Sequence, residues 1–266
     1  MRYLLVNADD FGFTRDVNVG IVDAHRNGIL TATTLMATGP AFSHAVALAA
    51  ANPTLDIGVH LQMVQGPSLS RPGKDLPNTV TELLFSLHQW DVQSEINAQI
   101  EKILESGIRP THLDTHKHTH LLPPILEALA RASQTYQIPV IRQPFDLPLN
   151  GSRAPLPTRL ANLAMKTLRP HFRSVLKRHN ARSTDHFAGF LWTGNYTADD
   201  LLHLFKILPP GSTEFMTHPG HLGPELRSAA TRLKQSRHNE LTALTDPRLK
   251  PALAANSITL TRYHQI

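Results

Sequence analysis

The 266-residue chain is expected to fold as a single α/β domain spanning 1–266, a (β/α) barrel of seven or eight mostly parallel strands. Three observations predict it. Short apolar runs of strand type alternate with helical periods along the whole length, no repeat, low-complexity tract or linker divides the chain, and residues of unusual chemistry collect where the apolar runs end. The 41% hydrophobic content is enough for a core and argues against disorder.

Taken in order, Tyr3 to Val6 reads as a strand that stops at Asn7-Ala8-Asp9-Asp10. Thr14 then caps a helix with Val17, Ile21 and Ala24 on one face and Gly28 at its end. Thr31 to Met36 is a second strand, Ala41 to Ala51 an alanine-rich helix, and Ile57 to His60 a third strand. A Gly, Pro and Ser-rich loop runs from Gln65 to Pro77. Val92, Ile96, Ile100 and Leu104 then recur at every fourth residue, and Gly107 ends their helix. Thr111 to Asp114 is the next strand, Pro123 and Pro124 suit a first helical turn, and Pro139 to Arg142 follows as a strand. Leu160, Leu163, Leu168 and Val175 suggest a basic helix pair with one apolar side. His186 to Phe190 is a weak strand, Thr197 caps an acidic-headed helix, and Glu214 to Thr217 and Ile258 to Tyr263 complete the count. An open doubly wound sheet is the alternative. Its signature is missing, because the Asn7 to Gly12 turn has neither the glycine fingerprint of a dinucleotide site nor a phosphate loop, and its two aspartates would repel a phosphate.

Composition narrows the function classes. No run approaches the ~20 apolar residues of a membrane span, and the apolar start of MRYLLVNADD ends in carboxylates, so neither a span nor a signal peptide is expected. The absence of cysteine excludes disulfides and thiolate ligands and fits a cytoplasmic protein. The +5 charge, 26 Lys+Arg against 21 Asp+Glu, is modest and calls for no nucleic-acid partner. Much of it lies between Arg159 and Arg182, where a solvated helical face is the simpler reading and peripheral membrane contact the alternative.

The chemistry sits at strand ends: Asp9 and Asp10, His60, Asp114 and His116, Arg142, and His218. That is the catalytic face of a barrel. In THLDTHKHTH, Thr111 to His120, four histidines need not be four ligands, and one is expected to bind metal while the others support it, meet substrate or stand by. Paired carboxylates at Asp9 and Asp10 make sense if a cation absorbs one charge and the other remains a base. One Asp and two His from separate strands form a catalytic rather than structural site, with positions left for water.

These residues carry a resemblance. Asn7-Ala8-Asp9-Asp10-Phe11-Gly12, Gly58-Val59-His60-Leu61, Thr111-His112-Leu113-Asp114-Thr115-His116 and Thr217-His218-Pro219-Gly220 are similar to motifs of the YdjC-like carbohydrate deacetylases, with weaker support from Arg142 and the Glu240-Leu241 stretch. That family includes chitooligosaccharide and hopanoid biosynthesis-associated deacetylases, and Phe11 to Thr14 and His116 to His120 look most like the latter. The resemblance implies a distorted (β/α) barrel, a homodimer, and removal of acetyl from an N-acetylated amino sugar or glycolipid. It implies Asp10, His60 and His116 as ligands of one divalent ion and Asp9 as base. Arg142 would orient the base or hold substrate, and His218 would protonate the leaving amine. His112, Asp114, His118 and His120 are left to support or substrate roles. The family ion is magnesium, whereas two imidazoles and a carboxylate suit zinc or another transition metal better. A metal-dependent phosphoesterase and a basic membrane or nucleic-acid-binding protein are the competing functions.

Overall fold

The computed structural model describes residues 1–148 and 154–266. Its strands are β1 (Arg2–Phe11), β2 (Ala32–Leu35), β3 (Asp56–Leu61), β4 (His112–Thr115), β5 (Val140–Ile141), β6 (His186–Ala188), β7 (Gly211–Thr217) and β8 (Ile258–Leu260). The helices are α1 (Arg15–Asn27), α2 (Phe42–Ala50), α3 (Val80–Ser86), α4 (Val92–Glu105), α5 (Pro123–Thr135), α6 (Leu156–Thr167), α7 (Arg169–Arg178), α8 (Ala198–Ile207), α9 (Pro224–Ser228), α10 (Gln235–Leu244) and α11 (Leu249–Ala255).

All strand pairs are parallel, in the order β5-β4-β3-β2-β1-β7-β6, with β8 beside the first residues of β1. The sheet curls until its edges nearly meet. Among the described residues they are tied by backbone bonds from Ile141 N–H to the Arg182 carbonyl, Arg182 N–H to the Pro139 carbonyl and Leu147 N–H to the Phe187 carbonyl, each at 2.8 Å. This is a distorted (β/α) barrel in one domain, with helices packed outside the sheet and a continuous apolar core between the layers.

Local chemistry explains most boundaries. The Thr14, Asp91 and Thr197 side chains accept backbone N–H bonds at the starts of α1, α4 and α8, and Thr197 and Asp200 complete a capping box. Gly107, at φ +87°, carries the chain out of α4. β1 runs beyond the expected Val6 because β7 pairs with it through Ala8 and β2 through Phe11, which draws the polar end of the strand into the sheet. β6 stops before Phe190 because Gly189 turns at φ +127°.

Three helical regions differ from the sequence expectation. Val80–Ser86 is helical although its period is too short to register, and the chain after β7 forms three further short helices. The basic helix pair does not share one apolar side. α7 buries Phe172, Val175 and Leu176, whereas Leu160 and Leu163 of α6 face outward at 57% and 64% exposure. Among the described residues, no helix is long and apolar enough to cross a membrane.

Candidate metal centre and active site

In a regular strand, consecutive side chains point to opposite faces, so Asp9 and Asp10 could not both enter one site. The register between β1 and β2 breaks between Ala8 and Phe11, and Asp10 sits at φ +69° in the left-handed region. A bulge of this kind re-aims one side chain, at a backbone cost of about 1–2 kcal/mol for a residue other than glycine. Both carboxylates therefore reach the C-terminal mouth of the barrel, and each is only 4% exposed.

Asp10 Oδ1 lies 3.3 Å from His60 Nε2 and 3.3 Å from His116 Nδ1, and the two histidine nitrogens are themselves 3.3 Å apart. The outer nitrogen of each ring is engaged: His60 Nδ1 lies 2.6 Å from Asp114 Oδ1, and His116 Nε2 lies 3.3 Å from Gln65 Oε1. A carboxylate and an amide oxygen can only accept there, so those outer nitrogens carry the protons. In their neutral, metal-binding form the inner nitrogens turn lone pairs towards Asp10 Oδ1, a buried oxygen. Three lone-pair donors facing one point at equal spacing repel one another unless a positive charge lies between them. Asp10, His60 and His116 could hold a metal ion. The surroundings independently favour positive charge here. Burial opposes charging of His60, yet Asp114, Asp10 and Asp9 raise its pKa to about 10.

The Asp9 side is arranged differently. Arg142, beyond the short β5, is 1% exposed and grips Asp9 with Nη1 to Oδ2 at 2.8 Å and Nη2 to Oδ1 at 2.6 Å. The same guanidinium meets Asp114 Oδ2 at 2.7 Å and Glu214 Oε1 at 2.5 Å. Burial pushes Asp9 towards the neutral acid, but the Arg142 charge outweighs it and holds the carboxyl well below its usual range. Glu214 lies deeper, and its burial raises it to about 7 despite Arg142. Asp9, His60 and Asp114 also come close enough to be considered as a metal group. Arg142 already engages oxygens of both of those carboxylates, so the Asp10 group is the better cradle.

His218 follows β7 and points Nε2 at Asp9 Oδ2 from 3.8 Å. Burial lowers its pKa, so the ring is neutral near pH 7. Its backbone N–H and the Thr217 hydroxyl both donate to Glu240 Oε2 at 2.6 Å, which fixes the turn from β7. Gly20 of α1 lets that turn approach, since a Cβ there would lie 2.5 Å from Gly220 Cα.

The other histidines of Thr111 to His120 separate by depth. His112 stacks on Tyr263 at 3.6 Å between ring centroids and donates to Asn7 Oδ1 at 3.0 Å, and the Asn7 amide nitrogen reaches Asp9 Oδ1 at 3.2 Å. A Cβ on Gly58 would lie 2.5 Å from the His112 ring, so glycine there is what admits the imidazole. His120 is fully buried between the Thr115 hydroxyl at 2.7 Å and the Arg142 carbonyl at 3.1 Å. It fixes the backbone that carries Arg142. His118 packs near Phe187 and Phe190, with the ring held neutral by burial. Asp114 touches His60, Arg142 and the Thr34 hydroxyl, and is wholly buried. His112, Asp114 and His120 thus lie wholly buried in the core beneath the site.

Arg237 and Glu214 belong to the site without having been expected in it, and Glu240, which had marked only the resemblance, joins them. Arg237, on α10, bonds to Asp10 Oδ2, stacks over Phe13 and is 2% exposed. It occupies the outer oxygen of Asp10 and leaves Oδ1 to the cradle. Arg237 and Glu240 are three apart on one helix, a spacing that puts both on the face turned to the barrel, but no strand end marks them. Glu214 carries its own signal, a charge in the middle of a buried strand.

A deep Asp and His cradle that could hold a metal ion lies beside an Arg-clamped carboxylate at the mouth of a distorted barrel. The chain belongs to the YdjC-like protein family, whose pattern it matches over residues 3–255. It is 33% identical to carbohydrate deacetylase 2 of Listeria innocua, over 99% of this chain and 98% of that protein. It is 31% identical to the carbohydrate deacetylase of Geobacillus stearothermophilus, again over 99% and 98%. Among solved structures it resembles one described as a cellobiose-phosphate cleavage protein of Enterococcus faecalis, with a TM-score of 0.78, 26% identity and coverage of 99% and 98%.

Proposed function

We propose that this protein is a metal-dependent de-N-acetylase that hydrolyses the acetamide of an N-acetylated amino sugar, in an oligosaccharide or a glycolipid of the hopanoid-linked kind. The observation that carries this reading is the triangle of Asp10 Oδ1, His60 Nε2 and His116 Nδ1, with sides of 3.3 Å, next to a carboxylate held ionised by Arg142. The names of full-length relatives at 31–33% identity support the bond and the substrate class.

The donor set speaks to the ion. With two imidazoles in the set, zinc or a similar transition metal is the proposed occupant. Such an ion supplies Lewis acidity, acidifying water and drawing charge from a carbonyl oxygen.

The chain's own residues do the rest. Asp9 stays ionised throughout the neutral range and keeps its orientation on the two-pronged Arg142 contact. Because that contact also weakens it as a base, Asp9 suits only water already made acidic. Water oxygen adds to the acetyl carbon, its proton passes to Asp9, the C–N bond breaks, and acetate and a free amine leave. His218 is neutral at rest and sits 3.8 Å from Asp9, a position from which it can relay a proton to the departing nitrogen. A two-metal phosphoesterase is disfavoured, because the carboxylates a second ion would need converge on Arg142 instead.

The test is acetate release from N-acetylglucosamine oligomers and from an N-acetylglucosamine glycolipid, with chelator, zinc or magnesium. Release abolished by chelator and restored by zinc is expected. Release that survives complete metal removal, or none from either substrate by zinc-loaded protein, would sink the reading.

A further inference from the structure

Helix α6 is built inside out. At 100° per residue, Leu156, Leu160 and Leu163 form one stripe, and they are 65%, 57% and 64% exposed. The opposite face, which rests on the body, carries Thr158, Asn162 and Met165, and the one fully buried residue of the helix is Asn162. An amphipathic helix packed for stability would do the reverse. From Ala154 to Arg182 there is no carboxylate, while Arg159 and Lys166 of α6 and Arg173 and Lys177 of α7 supply basic charge, and Glu127 of α5 pairs with Arg178 and His179 at the far end of α7. Single exposed leucines are ordinary, but an aligned leucine row on a helix pair that itself carries basic residues and no carboxylate has a definite complement.

We propose that α6 docks the protein on an anionic lipid bilayer, with the leucine stripe entering the interface and the basic residues of α6 and α7 meeting phosphate headgroups. Charge selects this occupant over a second copy of the chain. A two-fold contact through α6 would set two helices that carry basic residues and no carboxylate against each other. α6 follows β5 and packs against Phe190–Trp192, the segment that follows β6, which places the helix beside the ends of these two strands. Leu84 and Phe85 of α3, in the connection that leaves the C-terminal end of β3, are exposed too, at 53% and 80%. A bilayer on this side would bring a lipid-anchored head group to the barrel mouth. The docking itself does not depend on the catalytic reading.

The experiment is co-sedimentation of the full chain with vesicles of phosphatidylcholine alone or mixed with phosphatidylglycerol, at low and high salt and without substrate. Binding to the mixed vesicles is expected to be at least about tenfold tighter than to the neutral ones and to weaken with salt. The combined Leu156→Gln, Leu160→Gln, Leu163→Gln variant, altered only at exposed helical positions, should lose about tenfold or more in binding while releasing acetate from soluble substrate as before. Arg173→Glu with Lys177→Glu should remove the preference for anionic lipid. Absence of vesicle binding would overturn the proposal. So would binding that the leucine variant retains, or a leucine-dependent dimer in sedimentation with no affinity for vesicles.

Discussion

Asp9 and Asp10 are neighbours in sequence and equally buried, yet they are partnered differently. The Asp9 carboxylate has a fixed cation on both oxygens, contributed by Arg142. The Asp10 carboxylate has Arg237 on its outer oxygen only, and its inner oxygen faces two imidazole nitrogens. One half of the site already contains its positive charge and the other half is shaped to receive one. The difference teaches that a pair of adjacent acids can divide binding from proton transfer through one bulge and two arginines.

The comparison breaks most visibly at Asp9. Asp9→Asn should lower kcat by roughly a thousandfold, within the range for loss of a general base, and leave the metal cradle intact. Steady-state kinetics of the metal-loaded variant checks this, and near-normal turnover would remove Asp9 from the proton-transfer role. The next effect in size is at His218, where His218→Gln should cost about a hundredfold in kcat with little change in KM. A rise in KM with kcat unchanged would make it a substrate contact alone.

A smaller effect sharpens the link between core and site. Gly58→Ala pushes a methyl into the His112 ring and is expected to destabilise the fold by about 1–3 kcal/mol, measured by denaturant unfolding. Displacement of His112 also loosens Asn7 from Asp9, so kcat should fall while metal affinity stays. Equal loss of both would mean the strain spreads to the Asp10 side.

The mildest effect is on stability against pH. Burial lowers His120 from 6.5 to about 3 and takes His112 well below 6.5. Their folded pKa values are depressed, so the unfolded chain binds more protons below pH 6.5, and the stability these neutral rings contribute at pH 7 is lost as pH falls from about 6.5 towards 3. Thermal unfolding of the chelator-treated protein should therefore show Tm falling through this window. His120→Gln should flatten the slope, and an unchanged slope would argue against a buried neutral ring.

Much of the site was legible because its residues stand at strand ends, where chain geometry alone brings distant segments together. Asp9, Asp10, His60, His116, Arg142 and His218 could be picked out for that reason. Arg237 could not, because it arrives from a helix beyond an irregular connection, and nothing local says which way that helix faces. The roles within THLDTHKHTH were beyond sequence periodicity, since Lys117 and His118 both turn at positive φ and reset the alternation after His116. α6 misled for a physical reason as well: amphipathic spacing tells that a helix has an apolar side, and packing alone tells whether that side points inward.

The central claim is that the two aspartates have separate tasks. It is tested most directly by zinc stoichiometry and affinity of the wild-type protein, Asp9→Asn and Asp10→Asn, from calorimetric titration and elemental analysis. One equivalent bound by the wild type and by Asp9→Asn, with affinity lost by at least about a hundredfold in Asp10→Asn, is the expected result. Retention of the ion by Asp10→Asn, or its loss from Asp9→Asn, would contradict the division.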